Sequence, residues 1–565
     1  VETNLTAPLP ASKPSLTVRI AWLALILVTV YVCYFSHLGT IGLVGPDEPR
    51  YAWIARAMAE TGDWVTPRLY GKPWFEKPPL YYWGAALSFK LFGVSEAAAR
   101  LPSAVSAVLA TLALAWLALR LYGAETARWL LLLLPTTVGM IGFSHAAATD
   151  MPFSAMFTIA MVAAAILLRV VPPARSLESS AADSAPQSSS SFTPFPSSPS
   201  FAATVFGFFL GLAVLAKGPA AIILCGGAVC FWALVTKRWR DALRLLHPAG
   251  FAAFGVTALP WYILCARRNP DFFHIFIIEH NFKRFLTPEF QHLQPFWFYA
   301  EIILLAFLPW TAALLWTLVV GLERLRQTNR LRACTYFLLC WAGFCVVFFT
   351  ISRSKLPGYI LPAVPAIGLL LSRSALSLTS SKHRSFGLAS LAATILFAGL
   401  AMKVFDDRSL KNVIAFAPLF GLILGALALA NGLFGVFFLL SRRNIALFAA
   451  ILPVLLLFTL ADEVLPFTPV SILSSRYLAY QLQANHVPLA DLRVTGIRRS
   501  TLYGLNFYLR TDLQEWDHDL SRESYVLAAG GLPCSKILDV ASCSNLWGPV
   551  DKIDDFELLH LTPKH

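Results

Sequence analysis

Charge is scarce in this chain. Only 14% of its 565 residues are Asp, Glu, Lys or Arg, against about a quarter in a soluble domain. Hydrophobic residues make up 57% and mean hydropathy is +0.63. That deficit excludes an ordinary soluble enzyme. Metal-type cysteine spacing is also missing: there is no CxxC and no His/Cys zinc pattern. Seven of the nine cysteines (Cys33, Cys225, Cys230, Cys265, Cys334, Cys340 and Cys345) lie in or near apolar runs and read as small buried hydrophobes. Only Cys534 and Cys543 fall near the C-terminus, where an oxidising compartment would let them pair. Two further absences, of internal repeats and of ionisable residues at mid-span, speak against a transporter or flippase of polyprenol-linked sugars.

What is abundant is apolar sequence in lengths that cross a bilayer core of ~30 Å. Thirteen segments qualify, near 18–38, 97–119, 125–143, 151–171, 202–216, 219–236, 249–266, 298–320, 333–351, 359–373, 386–404, 412–440 and 444–463. The expected fold class is a multi-spanning α-helical membrane protein. Net charge is +13. That excess suits anionic lipids and phosphates and calls for no nucleic-acid partner, and cytoplasmic loops supply it in any case.

Loop charge fixes an expected orientation. With the N-terminus inside, the inner connections include KRWRDALR (237–244), ERLRQTNRLR (323–332), SKHR (381–384) and SRRN (441–444), basic and nearly free of acids. Acids then gather outside, in 39–96, 267–297, 352–358 and 405–411. An odd number of spans leaves 466–565 outside. Residues 1–465 are thus expected to form the membrane domain. In the C-terminal tail, 492–499, 524–531 and 557–563 read as strands and 474–487 as a helix, which predicts a small α/β domain. The Ser/Pro-rich stretch 174–200 reads as a disordered inner linker.

Polar residues concentrate on the outer edge, in GPDEPRYAWIAR (45–56), GKPWFEKPPLYYW (71–83), HAAATDMPF (145–153), LAKGPA (215–220), IIEHNFKRF (277–285) and SRSKLPGYILP (352–362). A site built from them has acids Asp47, Glu48, Glu76, Asp150 and Glu279 and bases Arg50, Arg56, Lys77, Lys217, Arg284 and Lys355. Each member also has a plain structural reading. Asp47 and Asp150 can cap helices, and Lys77 and Lys217 can snorkel from span ends. Tyr81, Tyr82 and Trp83 can anchor an aromatic belt, and His280 can be a hydrogen-bonded interface residue. As a group they are harder to explain away. FEKPP, AKGP and KLPGY each set a lysine beside proline or a Pro/Gly pair, and stiff backbone around a cation suits a fixed anion site.

DEPRYA, WFEKPPLYYW, ATDMPF, AKGP, PWY, EHNFKRF and SKLPGYILP, in this order and spacing, resemble the lipid A aminoarabinose transferases of the GT-C superfamily of polyprenol-dependent glycosyltransferases. The resemblance covers the whole chain, the 174–200 insertion excepted. It implies a bacterial inner-membrane enzyme with its site facing the periplasm. The implied partners are an undecaprenyl phosphate-linked aminoarabinose donor, a lipid A phosphate acceptor and membrane lipids. Transfer inverts the anomeric carbon and leaves the cell resistant to polymyxin. The resemblance makes Asp47 the catalytic carboxylate, and we group Asp150 and Lys77 with it. Glu48, Arg50, Tyr51, Arg56, Glu76, Tyr81, Tyr82, Lys217, Glu279, Arg284, Lys355 and Tyr359 are the expected donor-phosphate and substrate contacts. No cofactor is essential to this chemistry, since two or three side-chain cations suffice for a departing monophosphate. A divalent cation at Glu76 and His280 is the optional addition. Relatives with the same frame move other sugars such as galacturonic acid, and protein O-mannosyl transfer is the distant alternative. A non-catalytic envelope scaffold would not need these ordered motifs.

Overall fold

The structure is a computed structural model. It describes residues 15–171, 198–283, 293–327, 332–377, 380–406, 417–460, 474–517, 523–529, 541–546 and 556–563. Nine helices among these residues are long and apolar enough to cross a membrane, and two bent helix pairs also qualify if each is one span. This is a multi-spanning helical membrane protein. The thirteen apolar segments read from the sequence each overlap, in their described residues, one of these helices, a bent pair, or one of the two shorter apolar helices Ala220–Thr236 and Arg443–Thr459. The 174–200 stretch lies outside the described residues except at its end, where a helix already begins at Pro199.

The chain opens with α1 (Leu16–Tyr34), largely exposed as a span facing lipid. The first outer segment then folds as α2 (Asp47–Thr61), a two-stranded hairpin of β1 (Arg68–Leu69) and β2 (Lys72–Pro73), and α3 (Leu80–Phe92). The hairpin turn has φ of 51° at Tyr70 and 78° at Gly71, and Leu69 pairs with Lys72. Two central residues with positive φ match the twist of a two-residue hairpin. It returns the chain so that Trp74 N–H donates to Pro67 O at 2.8 Å, and FEKPP follows at once.

Spans α4 (Glu96–Tyr122), α5 (Ala124–Leu133), α6 (Val138–Ser144) and α7 (Asp150–Leu167) come next. Helix α7 is apolar on all sides and almost wholly buried, as expected of a central helix. Between α5 and α6 the axis turns by 62° after Pro135. The carbonyls freed there are taken by hydroxyls: Thr136 donates to Leu132 O and Leu133 O, and Thr137 to Leu134 O. Such satisfaction is what lets a helix break inside a membrane. Helices α8 (Pro199–Lys217) and α9 (Ala220–Thr236) pack beside α7 and each other, α10 (Pro248–Arg268) packs on α8, and a π-helical turn (His274–Lys283) follows. Then come α11 (Phe298–Ala306) and α12 (Thr311–Gln327), bent by 120° about a break where Asn431 donates to Pro309 O. Helix α13 (Ala333–Ile351), a 3-10 turn (Pro357–Ala363), α14 (Val364–Leu376), α15 (Ser380–Asp406), α16 (Ala417–Leu439) and α17 (Arg443–Thr459) complete the bundle.

The last part of the chain alternates helix and strand: α18 (Arg476–Ala484), β3 (Leu492–Thr495), α19 (Arg499–Leu509), β4 (Gln514–Glu515), β5 (Ser524–Ala529), β6 (Ala541–Asn545) and β7 (Phe556–Pro563). The sheet runs β4-β3-β5-β7-β6. Neighbours β3/β4 and β3/β5 are parallel, and β5/β7 and β6/β7 antiparallel. The strand expected over 492–499 is shorter than read, because α19 starts at Arg499. Cys534 lies outside the described residues, as does the side chain of Cys543, so their pairing stays an expectation. Of the other seven cysteines six are buried and Cys230 is exposed.

Candidate functional site

Helix α2 begins at Asp47, but Asp47 does not cap it. The residue before the helix is Pro46, and no side chain caps the first turn. The Asp47 carboxylate instead pairs with Arg50, one turn on. The same Arg50 nitrogen, Nη2, lies 3.0 Å from Glu76 Oε2, and Glu76 Oε1 lies 3.4 Å from Lys77 Nζ. Acid and base therefore alternate along Asp47, Arg50, Glu76 and Lys77. Arg50 is 5% exposed at its side chain while Asp47 is 52% exposed, so the buried cation presents an acid to the open side. Burial opposes the charge on Arg50, yet Glu76, Tyr51 and Asp47 outweigh it and push its pKa above the usual guanidinium value. The rings of Tyr51 and Trp74 lie 5.1 and 5.4 Å from the guanidinium carbon. Tyr82 is fully buried, and burial followed by the Glu76 charge raises its pKa, so it stays neutral.

A second ion pair sits at the start of α7. Lys217 Nζ at the end of α8 donates to Asp150 Oδ1 at 2.6 Å and lies 4.5 Å from the centre of the Tyr359 ring. As with Asp47, no side-chain cap is made at this helix start. A methyl group on Gly358 would overlap the Asp150 carboxylate. The glycine of KLPGY thus lets the loop approach that acid closely. Lys355 is buried and donates to Gln294 O at 3.2 Å.

Glu48 joins the two pairs, with both of its oxygens taken by the fold. Its oxygens accept from Arg100 at 3.1 and 2.7 Å, from Val44 N–H at 2.8 Å and from Ala147 N–H at 2.7 Å. Arg100, 2% exposed, also donates to the carbonyls of Leu38, Ile41 and Gly42. This knot fixes the loop before Asp47 to the turn that leads, three residues after Ala147, into Asp150. Three residues of chain span at most about 11 Å.

Other expected contacts lie elsewhere. Arg56 pairs with Glu60 at 2.7 Å and reaches Phe507 O at 3.5 Å. Tyr81 is buried and donates to Ala99 O at 2.8 Å. Glu279 is half-buried on the π-helical turn, 3.8 Å from His274. Arg284 lies outside the described residues. For the optional metal at Glu76 and His280, both Glu76 oxygens already face cations. No group of three or more His, Cys, Asp or Glu suited to a metal occurs among the described residues. Sequence reading missed Arg100 and Tyr503, whose ring lies 5.8 Å from the Arg50 guanidinium.

The model of the dolichyl-phosphate-mannose-protein mannosyltransferase family matches residues 20–276. The undecaprenyl phosphate-alpha-4-amino-4-deoxy-L-arabinose arabinosyl transferase of Enterobacter sp. (strain 638) is 29% identical over 348 residues, 62% of this chain and 58% of that protein. The protein of the same name from Yersinia enterocolitica is 28% identical over 400 residues, 70% of this chain and 67% of that one. The chain thus spans less than two thirds of the Enterobacter protein's length. ArnT from Cupriavidus metallidurans, solved bound to undecaprenyl phosphate, superposes with a TM-score of 0.74 at 22% identity, covering 97% of this chain and 98% of that one. The fold is shared along essentially the whole chain, and the resemblance carried by the motifs holds.

Proposed function

We propose that this chain, a relative of the undecaprenyl phosphate aminoarabinose transferases with the ArnT fold, is an inverting glycosyltransferase of the bacterial inner membrane. Its donor is 4-amino-4-deoxy-L-arabinose on undecaprenyl phosphate and its acceptor a lipid A phosphate. Basic inner loops favour an inside N-terminus, with the site and residues 466–565 in the periplasm. The observation that carries this reading is the charge array in which Arg50 bridges Asp47 and Glu76, with Lys77 beyond, tied through Glu48 to the Asp150–Lys217 pair.

The chemistry follows from the charges. An acceptor phosphate oxygen attacks the anomeric carbon while the bond to the donor phosphate breaks on the opposite face. Negative charge grows on the departing phosphate, and a fixed cation in a site shielded from water stabilises it. Lys77 takes that role, supported by Lys217 and Lys355. A phosphate monoester has a second pKa near ~6, so the acceptor is already largely ionised at pH 7. Asp47 therefore orients the acceptor or pairs with the sugar's ammonium rather than removing a proton. The product is less anionic, which weakens binding of cationic peptides such as polymyxin.

Protein O-mannosyl transfer is the second reading, favoured by the family model over 20–276. The purified chain, given both aminoarabinose and mannose donors on polyprenyl phosphate with lipid A and a hydroxyl-bearing protein side by side, separates the two. Sugar is expected on lipid A. Sugar on the protein moves the assignment to the second reading, and sugar on neither overturns both.

A further inference from the structure

Helix α19 belongs to the C-terminal sheet unit, yet it packs in the same apolar cluster as α2 and α3, where Tyr503 and Phe507 join Leu43, Tyr51, Tyr81 and Tyr82. Polar contacts lock that docking. Tyr508 Oη accepts from Leu43 N–H at 2.7 Å and donates to Glu96 at 3.0 Å. Arg476 donates to Gly39 O at 3.1 Å and Thr40 O at 2.7 Å. A methyl group on Gly42 would overlap the Ser474 side chain and crowd Tyr508. The unit is therefore fitted to the loop that leads into Asp47.

Among the described residues, it brings the Tyr503 ring to the charge array. Tyr503 lies 5.8 Å from the guanidinium carbon of Arg50, with Tyr51 and Trp74 nearer by a few tenths of an ångström. Arg50 Nε is buried and has no hydrogen-bond partner among the described residues. Two carboxylates hold one end of this guanidinium, and aromatic faces are what remains to fix its plane. The Arg499 guanidinium carbon lies 5.2 Å from the centre of the same ring, and Arg499 Nε donates to the Tyr503 hydroxyl at 2.9 Å.

We propose that α19 forms a wall of the transfer site and that Tyr503 is a positioning residue, holding Arg50 where it bridges Asp47 and Glu76. The C-terminal unit is then part of the catalytic assembly. This rests on the transferase reading above. Tyr503 touches no reacting atom; it acts through Arg50 on the direction of the Asp47 carboxylate. The ring face matters and the hydroxyl does not.

The test uses the full chain in detergent or liposomes with the aminoarabinose donor and lipid A. Tyr503→Leu keeps apolar bulk and removes the ring. It is expected to lower kcat about ten-fold with donor KM little changed, the size of losing one aromatic face on a desolvated cation. Tyr503→Phe keeps the face and is expected to stay within about two-fold of wild type. Tyr503→Met serves as a second non-aromatic variant should Leu fail to fold, with thermal unfolding as the check. A folded Leu or Met variant as fast as wild type overturns the proposal, as does a Phe variant as slow as Leu. Wild type that transfers no sugar overturns the transferase reading instead.

Discussion

Asp47 and Glu48 are neighbours in sequence and open onto two different regions. Around Asp47 the structure is half open: one buried arginine, one exposed carboxylate, a lysine beyond. Around Glu48 it is closed, with both oxygens bonded and Arg100 spread over three backbone carbonyls. An acid whose every acceptor position is filled by the fold holds the fold together. An acid held from one side and exposed on the other is ready for a ligand. Both partner arginines are buried; exposure of the carboxylate, 52% at Asp47 against 11% at Glu48, separates the two.

That contrast is sharpest in stability. Arg100→Ala leaves Glu48 buried without its partner, a loss of about 3–5 kcal/mol. It should appear as a large fall in thermal unfolding temperature or as protein missing from the membrane. Asp47→Asn should leave unfolding nearly unchanged, and equal destabilisation of the two variants would erase the distinction. In activity the order reverses. Asp47→Asn should abolish nearly all transfer, and the defect should be flat from pH 6 to pH 8. If Asp47 were a general base, the defect would shrink as pH rises and the acceptor phosphate completes its own ionisation near ~6. A defect that vanishes by pH 8 therefore reassigns Asp47 as the base.

Lys77→Ala tests the far end of the open array. Loss of one charge-stabilising donor costs about 3 kcal/mol in the transition state, roughly two orders of magnitude in kcat. Lys77→Arg should recover only part of that, because the charge returns in a different shape. Full activity in Lys77→Ala would remove it from the donor phosphate. The smallest effect is expected at Gly358→Ala. The added methyl displaces the Asp150 carboxylate from Lys217, with an overpacking cost of about 1–3 kcal/mol. Steady-state kinetics should show a fall in kcat of about ten-fold, and unchanged kinetics would place Asp150 outside the chemistry.

The legible part of this molecule was the part written in side-chain types. Spans announce themselves by apolar length. FEKPP, AKGP and KLPGY read as fixed lysines, and Lys217 and Lys355 each donate a hydrogen bond within the protein. Asp47 and Asp150 were readable as candidates, though not that neither would cap its helix. Arg100 was hidden because most of its partners are main-chain carbonyls, which leave no mark in sequence, and a lone arginine at a span end reads as snorkelling. Two of the four bonds to Glu48 likewise come from main-chain N–H groups, of Val44 and Ala147. Helix α19 was hidden because Arg498 precedes it with no capping side chain, and β3 appeared to run on into it. The signal was there in part: Tyr503 and Phe507 are four residues apart, as are Leu505 and Leu509, and all four are buried.

The contacts of Tyr508 with Leu43 and of Arg476 with Thr40 have a consequence in time. They join residues 465 and 436 positions apart. At about 5–20 residues per second of synthesis, the loop before Asp47 waits roughly 20 to 90 seconds for the helix that seats it. A nascent chain carries every span and every lysine of the array before it carries Tyr503. Completion of the C-terminus is then the step that assembles the wall, and a chain cut short after its last membrane helix reaches the bilayer without it.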